Sequence, residues 1–300
     1  MADYEWRAGT AAEGGVLGWV RESARLAGIC GVLWFSFSWF QFAVPIVLAK
    51  LDGMTVDAFR IYDPLWDFGA NNIAVGLTLI VLWLGVRLLE RRSFAELLSP
   101  DRRFRFSLFM RGFAVWVVAM TIVRVALSFA GLRTPLVARL TPGFDTLCLV
   151  ASTFLIQAPA EEMIFRGYLT TRIAALVPLR GVLPTAIGVI GSSAAFALIH
   201  FYHAAGTAQI FLLGLGCSLV RLIDRRLERA MGLHTALNVM IAVVFGLNGP
   251  RHYWPSLMRL PPAPRADWID VIGLTATFAL MLAVTYGPAL VRGRAQAAPS

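Results

Sequence analysis

Long stretches without a charged side chain alternate with short charged segments along this chain. The stretches free of Asp, Glu, Lys and Arg are 26–49, 68–86, 146–160, 181–220, 230–250 and 271–291, and a further one, 112–132, contains only Arg124. A helix needs about 20 mostly apolar residues to cross a hydrocarbon core about 30 Å thick. The 181–220 stretch is too long for one crossing and is predicted to break near residues 203–207. The pattern therefore predicts about eight transmembrane helices.

Composition excludes a soluble globular domain. Hydrophobic residues make up 58% of the 300 positions, charged residues only 15%, and the mean hydropathy is +0.68. A soluble domain needs more charge to cover its surface. The apolar runs lack the alternation of a membrane β-barrel, and only helices and closed barrels satisfy their backbone hydrogen bonds in lipid. The predicted fold is all-α, a polytopic membrane protein.

The net charge of +9 follows the predicted membrane topology. With eight helices, most of the Lys and Arg residues fall at the two termini and in the second, fourth and sixth loops. Lys and Arg concentrate on the cytoplasmic side of membranes, so both termini are predicted to be cytoplasmic. The expected localisation is integral to a membrane, such as a bacterial inner membrane, with lipid as a partner and no nucleic acid.

Three polar motifs lie in stretches that are otherwise apolar. They are Glu161-Glu162 with Arg166, Phe196 with His200, and His234 with Asn238. Charged groups inside a membrane cost on the order of 3 kcal/mol or more, which makes them candidates for function.

Helical spacing predicts which of these side chains contact each other. Glu162 and Arg166 are four residues apart and are expected to form an ion pair, which leaves Glu161 free for chemistry. Phe196 lies one turn before His200 and is expected to pack against it.

Depth in the membrane can be estimated from the residues that separate each group from the nearest turn. A turn at 178–184 places Glu161 and His200 at similar depth. His234 is only a few residues beyond the charged loop at 224–229, so it is expected to be shallower unless that loop dips into the membrane. Arg124, His203 and His252 are expected to have structural or interfacial positions.

The three motifs together resemble those of the CAAX prenyl protease 2 and bacteriocin-processing family, also called CPBP or ABI proteins. That family is marked by Glu-Glu-x-x-x-Arg, Phe-x-x-x-His and His-x-x-x-Asn, each near a separate transmembrane helix. All key positions match here, over roughly residues 150–248.

The resemblance implies an intramembrane endopeptidase of the glutamic type. In that mechanism Glu161 activates water as the general base, and His200 helps to orient or deprotonate the water. His234 and Asn238 stabilise the oxyanion. Glu162, Arg166 and Phe196 support the site.

Hydropathy, together with the resemblance for the core, predicts four segments in the chain. Residues 1–25 form a polar cytoplasmic N-terminus, and residues 26–143 hold the first three helices and a charged loop. Residues 144–250 form the catalytic core with helices four to seven. Residues 251–300 hold a Pro-rich interfacial loop, the last helix and a short tail.

Zinc is the main alternative to metal-independent chemistry. Glu161, His200, His203 and His234 offer suitable ligand atoms, but no His-Glu-x-x-His occurs, so no cofactor is expected. The expected substrate is a peptide bond in a membrane-associated protein or peptide. A lipid-modified substrate and one anchored by its C-terminus are both compatible with the sequence.

Other classes of protein stay open. A proton- or ion-coupled carrier using the two glutamates would be expected to show two related halves, and none is evident. A non-catalytic scaffold or immunity factor would keep the same motifs. A rhomboid-type serine protease is disfavoured because Ser192 and Ser193 lack the flanking glycines of a nucleophile motif.

Overall fold

The structure, a computed structural model, describes residues 15–57, 64–133, 137–138, 144–200, 202–241, 258–259 and 267–297. Apart from one short strand pair, the regular elements described are helices, which confirms the all-α prediction. They are α1 (Gly15–Leu51), α2 (Pro64–Leu89), a 3₁₀ turn (Phe94–Leu97), α3 (Phe106–Phe129), α4 (Phe144–Glu161), a π-helix (Glu162–Leu169), α5 (Thr170–Leu176), α6 (Leu183–Leu198), α7 (Ala204–Asp224), α8 (Glu228–Val239) and α9 (Trp268–Ala297). The strands β1 (Val137–Ala138) and β2 (Met258–Arg259) pair antiparallel.

Five of the described helices are long and apolar enough to cross a membrane, within Gly15–Leu51, Gly69–Leu89, Phe106–Phe129, Ala204–Asp224 and Trp268–Pro288. The apolar helix α6 is shorter. Large apolar side chains such as Phe35 and Phe129 are exposed on these helices, as expected where lipid is the solvent. The chain is a polytopic membrane protein, and the count of eight crossings stays a prediction.

The predicted helix breaks can be compared directly with the structure. The longest apolar stretch is broken between Leu198 and Ala204, close to the predicted place, and the helix that follows Glu161 ends at Leu176, where the turn was predicted. Most of the Pro-rich loop, including His252, and residues 1–14 lie outside the described residues.

Glycines bring α8 into backbone contact with α3. A Cβ atom at Gly112 of α3 would collide with the carbonyl oxygen of Arg229, and one at Gly232 of α8 would collide with that of Phe109. Small residues allow such close approach between membrane helices. As a result, every residue from Ala230 to Leu237 is buried, and α8 lies inside the helix bundle.

Ion pairs on the side opposite the arginine-rich loops join α3 to α9. Arg133, just after α3, lies 2.6 Å from Asp267 and also pairs with Asp270. The buried Arg124 of α3 lies within electrostatic reach of Asp270. A structural role for Arg124 stays a prediction.

Candidate active site

The two glutamates lie where α4 changes into the π-helix. The backbone N–H of Thr170 donates to the carbonyl oxygen of Phe165, five residues earlier, which is the π-type bond. Such wide turns are rare and occur frequently at functional sites. Glu161 is only 6% exposed, and Glu162 and Arg166 are fully buried.

The ion pair expected between Glu162 and Arg166 is present, with Oε1 and Nη1 3.2 Å apart. The guanidinium of Arg166 also lies over the ring of Phe196, 4.2 Å from its centroid. A cation over an aromatic face is stabilised by the ring quadrupole, more so when both are removed from water. Phe196, which is fully buried, therefore supports Arg166 as well as packing against His200.

His234 of α8 bridges the two glutamates. Its Nδ1 lies 2.8 Å from Oε1 of Glu162, and its Nε2 lies 3.5 Å from Oε2 of Glu161. An ionised carboxylate only accepts hydrogen bonds, so Nδ1–H donates to Glu162 and fixes the orientation of the ring.

The charges around His234 leave one proton to be placed. The charges of Arg166 and Glu162 cancel each other. The remaining charge is that of the Glu161 carboxylate, and one proton in addition to the one on Nδ1 of His234 would neutralise it. An uncompensated charge is costly in a buried site. Oε2 of Glu161 and Nε2 of His234, 3.5 Å apart, are the two atoms placed to hold such a proton between them.

Gln157, which the sequence analysis did not include among the site residues, connects Glu161 to Asn238. Its Nε2 donates to Oε1 of Glu161 at 2.8 Å, and its Oε1 accepts from Nδ2 of Asn238 at 2.9 Å. Gln157 lies one turn before Glu161, and this i, i+4 spacing was the sign of its role. The contacts form one continuous chain of six residues: Asn238, Gln157, Glu161, His234, Glu162 and Arg166.

His200 lies beside this chain, in the turn after α6. Its Nδ1–H donates to the carbonyl oxygen of Phe196 at 2.6 Å, so Nε2 is left as the acceptor in the neutral ring. In the described part of the chain His200 makes no hydrogen bond to Glu161. It packs edge-on against Phe196, which also packs against His234.

Tyr202 is a second residue that sequence reasoning missed. Its ring centroid lies 5.8 Å from that of His200, and its hydroxyl is within electrostatic reach of Glu161. Nothing in its spacing from the motifs indicated this position, because it lies in the irregular turn before α7.

His234 lies level with the two glutamates, which is the case expected if the charged loop before α8 dips into the membrane. Gly167 of the π-helix and Leu227, just before α8, lie at one level, since a Cβ at Gly167 would be 3.3 Å from Cδ1 of Leu227. Glu161 lies six residues before Gly167 and His234 lies seven residues after Leu227, on chains that run in opposite directions. The charged loop before α8 thus lies well inside the end of α5.

A buried carboxylate holds that loop in place. Glu228, fully buried in the first turn of α8, accepts from Nη2 of Arg226 at 2.7 Å and from the backbone N–H of Arg105 at 3.1 Å. Arg226 also binds Asp101 at 2.9 Å. Leu227 N–H donates to the carbonyl oxygen of Leu98. We call this set of contacts the α8 clasp, and it fixes the start of the helix that carries His234.

Ser192 and Ser193 have no base beside them in the described structure. The hydroxyl of Ser192 lies 2.6 Å from that of Thr170, so it joins α6 to α5. Both serines are fully buried. This arrangement is typical of a contact between helices.

The fold and the site together define a class: a helical membrane protein with a buried network of Glu, His and Arg inside the bundle. Residues 143–240 match the family model described as type II CAAX prenyl endopeptidase Rce1-like. The matched segment contains all three motifs and confirms the resemblance to the CAAX prenyl protease family. It covers roughly a third of the chain. Comparison with curated proteins and with solved structures gave no match.

Proposed function

We propose that this protein is an intramembrane endopeptidase in which Glu161 activates a water molecule to cleave a peptide bond. The observation that carries the proposal is the buried contact between Glu161 and His234, inside a segment that matches an endopeptidase family. Among the described residues, Oε2 of Glu161 has no hydrogen-bond partner. That oxygen is therefore available to accept a proton from water.

Glu161 acts as the general base and then as the acid. When the shared proton is on His234, Oε2 of Glu161 takes a proton from water as the water oxygen attacks the carbonyl carbon of the substrate. The carbon–nitrogen bond then breaks, and Glu161 gives the proton to the leaving amine. Gln157 holds the other oxygen, Oε1, so the carboxylate keeps its orientation through both steps.

His234 holds the shared proton in this mechanism. The family resemblance assigns His234 to the oxyanion, but each of its ring nitrogens faces a carboxylate. The geometry favours a role in which His234 carries the proton while Glu161 is ionised. Glu162 and Arg166 keep the ring oriented, as the partners of catalytic imidazoles commonly do.

Asn238 is the proposed donor to the oxyanion. One amide hydrogen of Nδ2 is used by Gln157, and among the described residues the second is left for a ligand. Donors that are already oriented toward a developing negative charge contribute about 3 to 4 kcal/mol each to lowering a barrier. His200, whose Nε2 is the acceptor nitrogen of the neutral ring, is the second group placed to orient the water or the substrate.

The arrangement supports metal-independent chemistry. Nδ1 of His234 donates to Glu162, so only Nε2 of this ring has a lone pair for a metal ion. The guanidinium of Arg166 already compensates Glu162, so a second cation there would be repelled. In the described residues no three His, Cys, Asp or Glu side chains are grouped to hold a metal ion.

The proposed substrate is a membrane-associated protein or peptide. The matching family is named for prenylated CAAX sequences, so a lipid-modified C-terminus is one option and a C-terminal membrane anchor is another. The proposed setting is a bacterial inner membrane with both termini in the cytoplasm, which the distribution of arginines supports.

The test compares three forms of the protein in a host that lacks its gene: wild type, Glu161→Gln and Glu22→Gln. Glu22 lies outside the site, where its carboxylate pairs with Arg25 at a distance of 2.9 Å, so Glu22→Gln controls for the loss of a glutamate. Protein termini in the membrane and secreted fractions are then compared by mass spectrometry, with a chelator added to isolated membranes.

New termini with wild type and Glu22→Gln, but not with Glu161→Gln, are expected and would identify the substrate. Chelator-resistant cleavage would support the metal-independent mechanism, and chelator-sensitive cleavage would contradict it. Identical termini in all three, with each protein present in the membrane, would favour the carrier or scaffold alternatives.

A further inference from the structure

Three arginines adopt a backbone conformation that normally belongs to glycine. Arg91, Arg102 and Arg225 have φ angles of 55°, 55° and 56°, and they are the non-glycine residues with positive φ in the described chain. The left-handed region is unfavourable for residues with a Cβ atom, and helices usually place Gly or Asn there when they end. Arg225 occupies such a position directly after α7.

The three strained arginines belong to one surface. Glu96 pairs with Arg92 at 3.1 Å and with Arg102 at 2.6 Å, which connects the segment after α2 to the turn before α3. Asp101 pairs with Arg105 at 2.8 Å and with Arg226 at 2.9 Å, which connects that turn to the segment after α7. We call this surface the arginine patch; it consists of Arg91, Arg92, Arg102, Arg103, Arg105, Arg225 and Arg226.

The patch has more arginines than carboxylates. Its seven arginines outnumber by four the carboxylates shown to pair with them, which are those of Glu96, Asp101 and the buried Glu228. Arg91, Arg102 and Arg225 are all exposed. A compact surface with this charge attracts anions, and the attraction weakens as salt screens it.

Exposed apolar side chains place the patch next to the hydrocarbon of the bilayer. Phe104 lies between two arginines of the patch and is 50% exposed, and Phe106 and Leu89 at its edge are 64% and 57% exposed. Side chains of this kind enter the membrane interface while neighbouring arginines remain at the level of the head groups.

We propose that the arginine patch binds the head groups of anionic phospholipids. The strained backbone supports this because glycine at the three positions would remove the strain but also the charge. Anionic lipids attract basic residues next to transmembrane helices. An acidic protein segment would not require the exposed aromatic and aliphatic side chains that surround the patch. The proposal is independent of the chemistry at Glu161.

The test uses the full-length protein in nanodiscs of phosphatidylcholine with increasing phosphatidylglycerol, and thermal unfolding as the readout. A triple variant with Arg91→Gly, Arg102→Gly and Arg225→Gly removes strain and charge. A second triple variant with Lys at the same positions keeps the charge and the strain.

Phosphatidylglycerol is expected to stabilise wild type and the Lys variant, and both should reach half of the maximal stabilisation at similar phosphatidylglycerol contents. High salt is expected to reduce the stabilisation. The Gly variant is expected to need at least about fivefold more phosphatidylglycerol.

An equal response of the Gly variant and wild type to phosphatidylglycerol would overturn the proposal. Stabilisation of wild type by soluble polyglutamate, without any effect of phosphatidylglycerol, would assign the patch to an acidic protein instead.

Discussion

Nδ1 of His234 lies 2.8 Å from Oε1 of Glu162, and this contact ties α8 to the π-helix in the interior of the bundle. Both residues are buried: Glu162 has no exposed surface, and His234 is 2% exposed. The second nitrogen of the same ring faces Glu161. Two neighbouring glutamates thus share one histidine but differ in their other partners, and this difference allows their roles to be separated by mutation.

Glu161→Gln is expected to abolish turnover and leave the protein folded. Glutamine has the same shape, and its carbonyl oxygen can still accept from Gln157. Its amide can donate to Nε2 of His234, but it cannot take a proton from water. Cleavage of the identified substrate and thermal unfolding of the purified variant check this. Activity equal to wild type would contradict the proposed mechanism.

Glu162→Gln is expected to act mainly on stability. The change leaves the buried guanidinium of Arg166 without its carboxylate, which costs about 3 to 5 kcal/mol in the free energy of unfolding. The double variant with Arg166→Met is expected to be more stable than Glu162→Gln alone, because the stranded charge is removed. Additive losses in the two single variants and the double variant would show that the pair is not coupled.

Asn238→Ala is expected to lower turnover by about 10²-fold without abolishing it, because it removes one donor to the oxyanion and no proton carrier. Gln157→Ala removes the hydrogen bond to Glu161 as well as the one to Asn238, so it is expected to lower turnover more than Asn238→Ala does. The two variants are compared at saturating substrate. A larger loss in Asn238→Ala would indicate that Gln157 does not orient the glutamate.

Glu228→Gln tests the α8 clasp. The variant leaves Arg226 with weaker partners at the buried start of α8, and a loss of about 1 to 3 kcal/mol in unfolding free energy is expected. Because the clasp sets the depth of His234, turnover is also expected to fall. Glu96→Gln, at a partly exposed ion pair outside the clasp, is the control and is expected to change both quantities less than Glu228→Gln does. Unchanged stability of Glu228→Gln would show that the clasp is dispensable.

Acid is expected to loosen the clasp. The hydrogen bonds from Arg226 and Ser99 hold the pKa of Asp101 well below its usual range. A lowered pKa in the folded protein stabilises it at pH values above the ordinary value of 3.8, and this contribution is lost as the pH falls further. Thermal unfolding of wild type should therefore decline between about pH 4 and pH 2 more steeply than that of Asp101→Asn. Parallel curves would contradict the prediction.

The sequence by itself determined the class of the protein and most of its helices. Long apolar runs can only be satisfied as helices in lipid, so the helices could be predicted from hydropathy. The breaks predicted at 178–184 and 203–207 lie close to the helix ends at Leu176 and Leu198. The three motifs determined the family resemblance. The Glu162–Arg166 pair could be predicted as well, because it depends only on residues four apart in the same helix.

Only the tertiary structure decided how these helices meet. The depth of His234 depends on how far the loop before α8 enters the bundle, and this is set by Glu228, by Leu227 and by backbone contact at Gly112 and Gly232. The π-helix is likewise invisible in the hydropathy pattern. Hydropathy records which residues avoid water, whereas the relative level of two helices is set by long-range contacts between residues far apart in sequence.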